Sequence, residues 1–530
     1  MARGGRMARG GLIAAFDIGT TTAKGVLVER ARGIVHEETR SYATAYPAAG
    51  LVEQDPEDWW RAVRDLCAAF WRAGYAPEQV EAAALTGQMQ DVILLARDNT
   101  AVRPAILYSD ARAVAQAARL RALLPADEAG DDLDFIDGTS PLAKLAWLRD
   151  HEAGRLAACA HVVFNAKDYI LARLSGACGT DATTAATTGL FDLGAGDWRR
   201  AWCALAGVSS ALLPALVAPD AVAGTVSARG AAATGLPEGT PAYGGMGDAA
   251  AATLSAGVTA PGRTYLYLGT SGWAATVTEM VGANGRGDAG DGSRGGGGEG
   301  VRYLPYVMPG TLIKVAPLLN AGGAHRWIVD LVAPESAADQ EEENGYAAFE
   351  RLLLDTPGRS GGALFLPYLT GERSPVRETR ALGTFVRLGV GTGRGALGWA
   401  ALEGVCFALR QVLEALGSAA PRVTLVGGMA RSPLLRQLIA DICAVRVHVR
   451  ALPGAAGALA AAVPVAVGQG WFTSVPDGVA AWFGGDDGEV VDPQPDRVAA
   501  YDRLYRSYVR IYPAIRLLEE ADAGAGCSTL

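Results

Sequence analysis

Two segments of this 530-residue chain carry one pattern: Phe16-Asp-Ile-Gly-Thr-Thr-Thr22 near its start and Tyr267-Leu-Gly-Thr-Ser-Gly272 near its middle. Each lies between β-rich runs. A hairpin repeated in this way predicts two lobes that share one ancestral opening unit. The length agrees, because a single hydrophobic core stops growing at roughly 250–300 residues.

Residues Leu12 to Phe16, Gly25 to Val28 and Gly33 to Glu38 read as strands of an opening hairpin or meander. A helix follows. Asp55 is a candidate N-cap, Pro56 suits the first helical position, and Asp58 stands at the capping-box position. Trp59, Val63, Leu66 and Phe70 then recur at helical spacing until Gly74. Val80 to Leu85 and Val92 to Leu95 read as strands flanking a loop, Thr86-Gly-Gln-Met-Gln-Asp91. Gly244-Gly-Met-Gly-Asp248 leads into an Ala-rich helical run, Ala249 to Leu254. The lobe boundary is expected near Val258 to Gly262, giving lobes 12–259 and 260–515. Gly282 to Gly300 is too rich in Gly to bury a core and reads as a flexible insertion. Later, Val423 to Val426 is a strand ending in Gly427-Gly428, and the helix Pro433 to Cys443 starts against that turn. Only a mixed α/β class fits this order.

Charge narrows the partners. With 47 Lys plus Arg against 56 Asp plus Glu, the net charge is −9 and no local basic patch interrupts it. Nucleic acid and membrane surfaces are therefore not expected partners. The longest apolar stretch, near Ala455 to Val467, is broken by Pro464 and is too short for roughly 30 Å of hydrocarbon. Seven Cys with no CxxC pair and five His at no ligand spacing argue against a disulfide framework and a structural metal. A reducing, cytoplasmic compartment follows. The basic start, Met1 to Arg9, reads as a disordered arm. The terminal Ser528-Thr-Leu530 differs from a peroxisomal Ser-Lys-Leu address by Thr for the basic residue, which makes a peroxisome-related organelle the alternative.

A hairpin that holds phosphate needs Gly for close backbone approach, exposed N–H groups, and hydroxyls or a cation aimed at the oxygens. Gly19, Thr20, Thr21, Thr22 and Lys24 supply them, and Asp17 stands where it would organise Mg²⁺ or its waters. For that segment alone an ordinary turn competes. Gly269, Thr270 and Ser271 repeat the chemistry, and Gly427-Gly428 adds a third approach, so together they point to ATP between two lobes. Asp248 is either a base for an attacking hydroxyl or the cap of the Ala-rich run, and composition does not separate the two.

These residues resemble the FGGY carbohydrate kinases. DIGTTTAKG (17–25) is similar to the family's first phosphate motif, GGMGDAAAA (244–252) to its catalytic-aspartate segment and LGTSG (268–272) to its second phosphate motif. NAGGAHRW (320–327), PYLTGERSP (367–375), LEGVCFALR (402–410) and VGGMARSPLLRQLIAD (426–441) continue the resemblance. It implies two ribonuclease H-like lobes of the actin-like ATPase fold closing on MgATP and a sugar. It makes Asp248 the general base and Asp17 the Mg²⁺-linked carboxylate. Thr20, Thr21, Lys24, Thr270, Gly322, Gly428 and Ser432 would touch nucleotide, and Met89, Gln90, Asp110 and Arg112 the sugar. Within the family, xylulose is the sugar most resembled, with ribulose, gluconate and glycerol as rivals, and a homodimer is allowed. The sequence departs from the family at Gln90-Asp91, where His-Gly is usual, at Tyr108-Ser109 for Trp-Asn, at Arg387 for Gly and at Trp399 for Arg. A switch ATPase serving a protein partner is the other function class, and it predicts sugar-independent hydrolysis.

Overall fold

The computed structural model describes residues 11–124, 133, 135–269, 271–280, 300–333, 342–376, 378, 381–418, 420–484 and 488–524. The expected N-terminal arm, Thr270, the Gly-rich stretch through residue 299 and Ser528 to Leu530 lie outside the described residues.

Strand order accounts for the internal echo. In the first sheet, Leu12–Ile18, Thr22–Glu29 and Gly33–Ser41 run antiparallel, and Val80–Gly87 then Pro241–Tyr243 join the free edge of Leu12–Ile18 in parallel. The second sheet repeats this: Thr264–Leu268, Gly272–Glu279 and Thr311–Leu318 are antiparallel, and Arg422–Val426 then Arg446–Val449 are parallel. Each is a ribonuclease H-like sheet, and the pair forms the actin-like ATPase fold with a cleft between its lobes.

Leu12–Ile18 is apolar along nearly its whole length because both faces are covered. Trp59, Val63, Leu66 and Phe70 of the helix Pro56–Arg72 pack against Phe16 and Leu27 on one face. Asp55 caps that helix, accepting from the Glu57 amide at 3.0 Å. Asp58 completes no capping box; it turns outward to pair with Arg61 at 2.5 Å.

The other face is covered from far along the chain. Ala458, Leu459, Ala462 and Val465 of the helix Ala456–Gly468 pack on Ile13, Ala15, Val26 and Val28. Conversely, Ala250, Ala251 and Leu254 of the helix Asp248–Ser255 pack on Tyr265, Ala275 and Val277 of the second sheet. The two helices touch where they cross, with the Ser255 hydroxyl donating to the Ala456 carbonyl at 3.1 Å. The 22-residue helix Arg394–Ala415 is apolar enough to span a membrane by length and composition, but most of its apolar window is buried in the second lobe.

One local expectation changes. The loop expected over 86–91 shrinks to Gln88, because Thr86 and Gly87 stay in the sheet, paired with Asp17 and Ile18 on one side and Met246 and Gly247 on the other. The buried Gln88 side chain donates to Gln54 Oε1 at 3.1 Å. The helix Pro433–Cys443 has its expected bounds, with Ser432 as N-cap and a 3₁₀ turn over Gly428–Arg431 joining it to Gly427.

Candidate active site

The crossing of the two helices opens a cavity of about 520 Å³. Asp17, Gly19, Lys24, Met89, Gln90 and Asp248 all line it. Asp17 ends the first strand, Lys24 is its register partner across the hairpin, and Met89 and Gln90 open the strand after Gln88. Asp248 is the first residue of its helix. Gly247 is the N-cap and forms no side-chain cap bond, so Asp248 is not the cap that competed with its catalytic reading.

Close packing explains the glycines before it. Gly245 has φ +69°, and a Cβ there would overlap the Leu85 carbonyl oxygen; one on Gly247 would overlap Met89 Sδ. Asp248 is reached from the cavity yet ringed by protein, and that desolvation, with the Asp17 charge second, pushes its carboxyl up to about 7. Burial likewise raises Asp17 to about 6, opposed by Lys24. Two carboxyls with raised proton affinity thus face one cavity.

The phosphate-type turns are built alike. In the first, the Gly19 amide donates to Thr22 O at 3.0 Å, and the carbonyls of Gly19, Thr20 and Thr21 accept from Tyr42 Oη, Gln54 Nε2 and the Tyr42 amide. Among the described residues, the Thr20 and Thr21 amides have no backbone acceptor and stay available to an anion. In the second, the Gly269 amide donates to Ser271 O at 2.9 Å, and Gly269 O accepts from the Gly322 amide at 3.0 Å. A side chain on Gly322 would overlap that carbonyl, and one on Gly427, at φ +105°, would overlap Leu268, whereas the space beside Gly428 is open. Gly269, Gly322 and the Gly427-Gly428 turn therefore converge, while Ser432 caps the helix Pro433–Cys443 and donates to Glu350.

Three expected contacts are placed differently. Lys24 Nζ donates to the Gly454 carbonyl at 2.6 Å rather than pointing at an open phosphate position. Asp110 and Arg112 do not line the cavity. They form a buried bidentate pair at 2.7 and 2.8 Å, with Arg112 also on Glu53 and stacked over Trp147. Arg112 holds the Asp110 carboxyl below the usual range despite burial, and the pair braces the segment that meets Asp91 through the Tyr108 amide.

The family departures have local reasons. Gln90 and Arg387 both sit in the left-handed region, at φ +70° and +64°, a conformation that glycine adopts freely at Arg387's position and a longer side chain adopts only under constraint. Trp399 is a core residue, its indole donating to Leu353 O at 2.7 Å. Gln90 Nε2 is buried without a hydrogen-bond partner among the described residues, beside the cavity.

Sequence reasoning missed three contributors. Tyr267 and Trp273, stacked at 4.0 Å, form an aromatic wall of the cavity. Gly457 lies so close to Asp17 that a Cβ there would overlap Asp17 Oδ2. Lys167 and Asp181 are buried beneath Gly244 and Gly247. The one available signal was the adjacent Lys167-Asp168 pair in the first turn of the mostly buried helix Ala166–Ser175.

Duplicated ribonuclease H-like lobes, each with a phosphate-type turn, and a cavity lined by Gly19 of the first turn and by Asp248 have the make-up of an ATP-dependent phosphotransferase, while Gly269, Gly322 and Gly428 of the second turn lie outside that cavity's lining. The chain matches the FGGY family of carbohydrate kinases, N-terminal domain, over residues 12–255 and its C-terminal domain over residues 309–467. Xylulose kinase of Bacillus subtilis (strain 168) is 27% identical over 96% of this chain and 97% of that protein, and xylulose kinase of Streptomyces rubiginosus 31% over 88% and 92%. The crystal structure of xylulose kinase from Rhodospirillum rubrum superposes with a TM-score of 0.83 at 29% identity, covering 96% of this chain and 99% of that one. The chain belongs to the FGGY family of carbohydrate kinases, and it is a sugar kinase that uses ATP.

Proposed function

We propose that this kinase, dividing into lobes 12–259 and 260–515 and working in the cytoplasm, phosphorylates D-xylulose to D-xylulose 5-phosphate with MgATP. The observation that carries the reading is the meeting of Asp248 with Met89, Gln90 and Asp17 around one cavity. Similarity to xylulose kinases along nearly the whole chain supports the sugar. Asp248 takes the proton of the acceptor hydroxyl as it attacks the γ-phosphorus. The Thr20, Thr21 and Ser271 segments cradle the phosphates, and Lys24 exchanges Gly454 for a phosphate oxygen. Thr270 belongs to the same motif.

Among the described residues no group of three or more His, Cys, Asp or Glu could hold a metal. A lone carboxylate beside a phosphate cradle suits Mg²⁺, which keeps its waters and takes one or two carboxylates plus substrate phosphates. Asp17 would hold it through those waters, and the ion would spread the charge of the transferring phosphoryl group. Closure of the lobes excludes the water that would otherwise hydrolyse ATP.

The direct test is sugar-dependent ADP release with MgATP across D-xylulose, L-xylulose, D-ribulose, L-ribulose, gluconate and glycerol. Stimulation by D-xylulose above the others is expected; ADP release indifferent to every sugar would overturn the reading. Gln90 in place of the family's His favours the rival sugars as a second reading, and the same panel decides it.

Two further outcomes follow from the site. Because Asp248 is a base only when ionised and its carboxyl sits at about 7, kcat/KM for the sugar should rise with pH, reach half its plateau near 7 and stay flat above. A pH–rate profile already flat at pH 5 would remove this assignment. Replacing Gln90 by Leu deletes the side-chain amide that this reading sets against the sugar. It should raise the sugar KM about tenfold, the equivalent of one lost hydrogen bond, with the ATP KM unchanged. Initial-rate kinetics with each substrate varied in turn reads both constants.

A further inference from the structure

Lys167 and Asp181 touch neither the cavity nor any reacting atom, yet they are 1% and 0% exposed. Lys167 Nζ lies 2.5 Å from Asp168 Oδ1 and 3.1 Å from Asp181 Oδ1, and it donates to the Gly244 carbonyl at 3.0 Å. Asp181 Oδ2 accepts from the Gly247 amide at 3.2 Å and from the Thr184 amide at 3.1 Å, and Oδ1 accepts from the Thr184 hydroxyl at 2.7 Å. Thr184 Oγ1 in turn accepts from Asn165 Nδ2 at 3.1 Å, and the same amide group donates to the Gly87 carbonyl at 3.0 Å.

These bonds converge on two backbone segments. One is Gly244 to Gly247, which delivers Asp248; the other is Gly87, two residues before Met89. We propose that the buried Lys167–Asp181 pair is a positioning element that sets both halves of the acceptor site at once, the base through Gly244 and Gly247 and the sugar-contact dipeptide through Thr184, Asn165 and Gly87. The proposal rests on Asp248 and Met89-Gln90 serving the acceptor as described above.

A purely stabilising role explains the pair poorly. Taking three charged groups out of water is costly, and a buried ion pair is often matched in stability by apolar residues of similar volume. What apolar residues do not supply is a set of directional bonds. Here those bonds end on a left-handed Gly245 turn and on a strand end that has no room for a side chain, since a Cβ on Gly87 would crowd Ile18 O at 2.8 Å. The hub fixes where those segments stop, and a displacement of about 1 Å at a reacting group costs on the order of a hundredfold in rate. Burial acts to raise the Asp181 carboxyl, but Lys167 and Thr184 outweigh it and hold Asp181 ionised, which keeps the bonds to Gly247 and Thr184 strong.

Asp181→Asn keeps the shape and one acceptor but loses the charge opposite Lys167. Its kcat should fall about a hundredfold and its KM for D-xylulose rise about tenfold, with the ATP KM within about twofold of the parent. Loss of folded protein lowers the apparent kcat but moves neither KM. Thr184→Val removes the hydroxyl that links Asp181 to Asn165, leaves the Lys167, Gly244 and Gly247 bonds in place, and should raise the D-xylulose KM about fivefold. It is the second test should Asp181→Asn or Lys167→Met fail to fold. D-xylulose binding followed by intrinsic tryptophan fluorescence in Asp248→Asn, with and without Asp181→Asn, separates this proposal from the assignment of the base. Weaker sugar binding in the double variant supports the hub even where no turnover exists, and turnover retained in Asp248→Asn would sink the base alone. An unchanged D-xylulose KM in both Asp181→Asn and Thr184→Val would overturn the proposal.

Discussion

Asp248→Asn is expected to abolish sugar-dependent ADP release, a loss of about 10³-fold or more, while thermal unfolding and ATP affinity stay close to those of the parent. A positioned general base contributes about 10²–10⁴ in rate, and a carboxamide of the same shape cannot accept the hydroxyl proton. The substitution is mild for the fold, because Asp248 forms no cap bond on its own helix and lies on the cavity wall. It also removes a carboxyl whose proton affinity burial and the Asp17 charge raise, so no charge repulsion toward Asp17 remains. Coupled ADP assay, thermal melt and nucleotide titration on one preparation give all three values. Turnover above about a tenth of the parent would exclude Asp248 as the base.

The second large effect has an unusual sign pattern. Gly457→Ala should cost about a hundredfold in turnover without lowering the melting temperature. Alanine in place of glycine within a helix ordinarily gains up to about 1 kcal/mol, and Gly457 lies in the first turn of Ala456–Gly468. The added methyl overlaps Asp17 Oδ2, the mobile end of a side chain, so the carboxylate swings aside at little cost to the fold. Catalysis bears the displacement instead, because Asp17 is the carboxylate proposed to organise Mg²⁺. Raising Mg²⁺ should recover part of the rate, and a Gly457→Ala enzyme with parental kcat at low Mg²⁺ would show that Asp17 does not depend on this approach.

How much of this was legible depended on whether the cause was local. Asp55, Pro56 and the Trp59, Val63, Leu66, Phe70 stripe specify Pro56–Arg72 by cap and periodicity, and the structure has that helix. The repeated Gly-Thr hairpins were visible because each is a short motif whose chemistry lies in adjacent residues, and the duplicated sheets follow from them. Asp110 and Arg112 were read as sugar contacts from a motif, yet their side chains are consumed by each other and by Glu53, a partner far away in sequence. Lys24 was aimed at phosphate by its position, but Gly454 supplies a carbonyl that only the folded chain brings near. Gly457 looked like one small residue in an Ala-rich run. Its role appears only where Asp17, from the first strand, meets it.

The crossed helices carry a consequence for how the protein is made. Ile13, Ala15, Val26 and Val28 belong to strands that are synthesised long before the helix that covers them, Ala456–Gly468. Until that helix emerges the apolar face has no native partner, and each Ile or Val side chain left in water forgoes about 1.5–3 kcal/mol. A nascent chain in this state is a substrate for chaperones and a template for aggregation. Chain ends trimmed back past Ala456 should therefore yield insoluble protein, even though every residue of the first sheet is present.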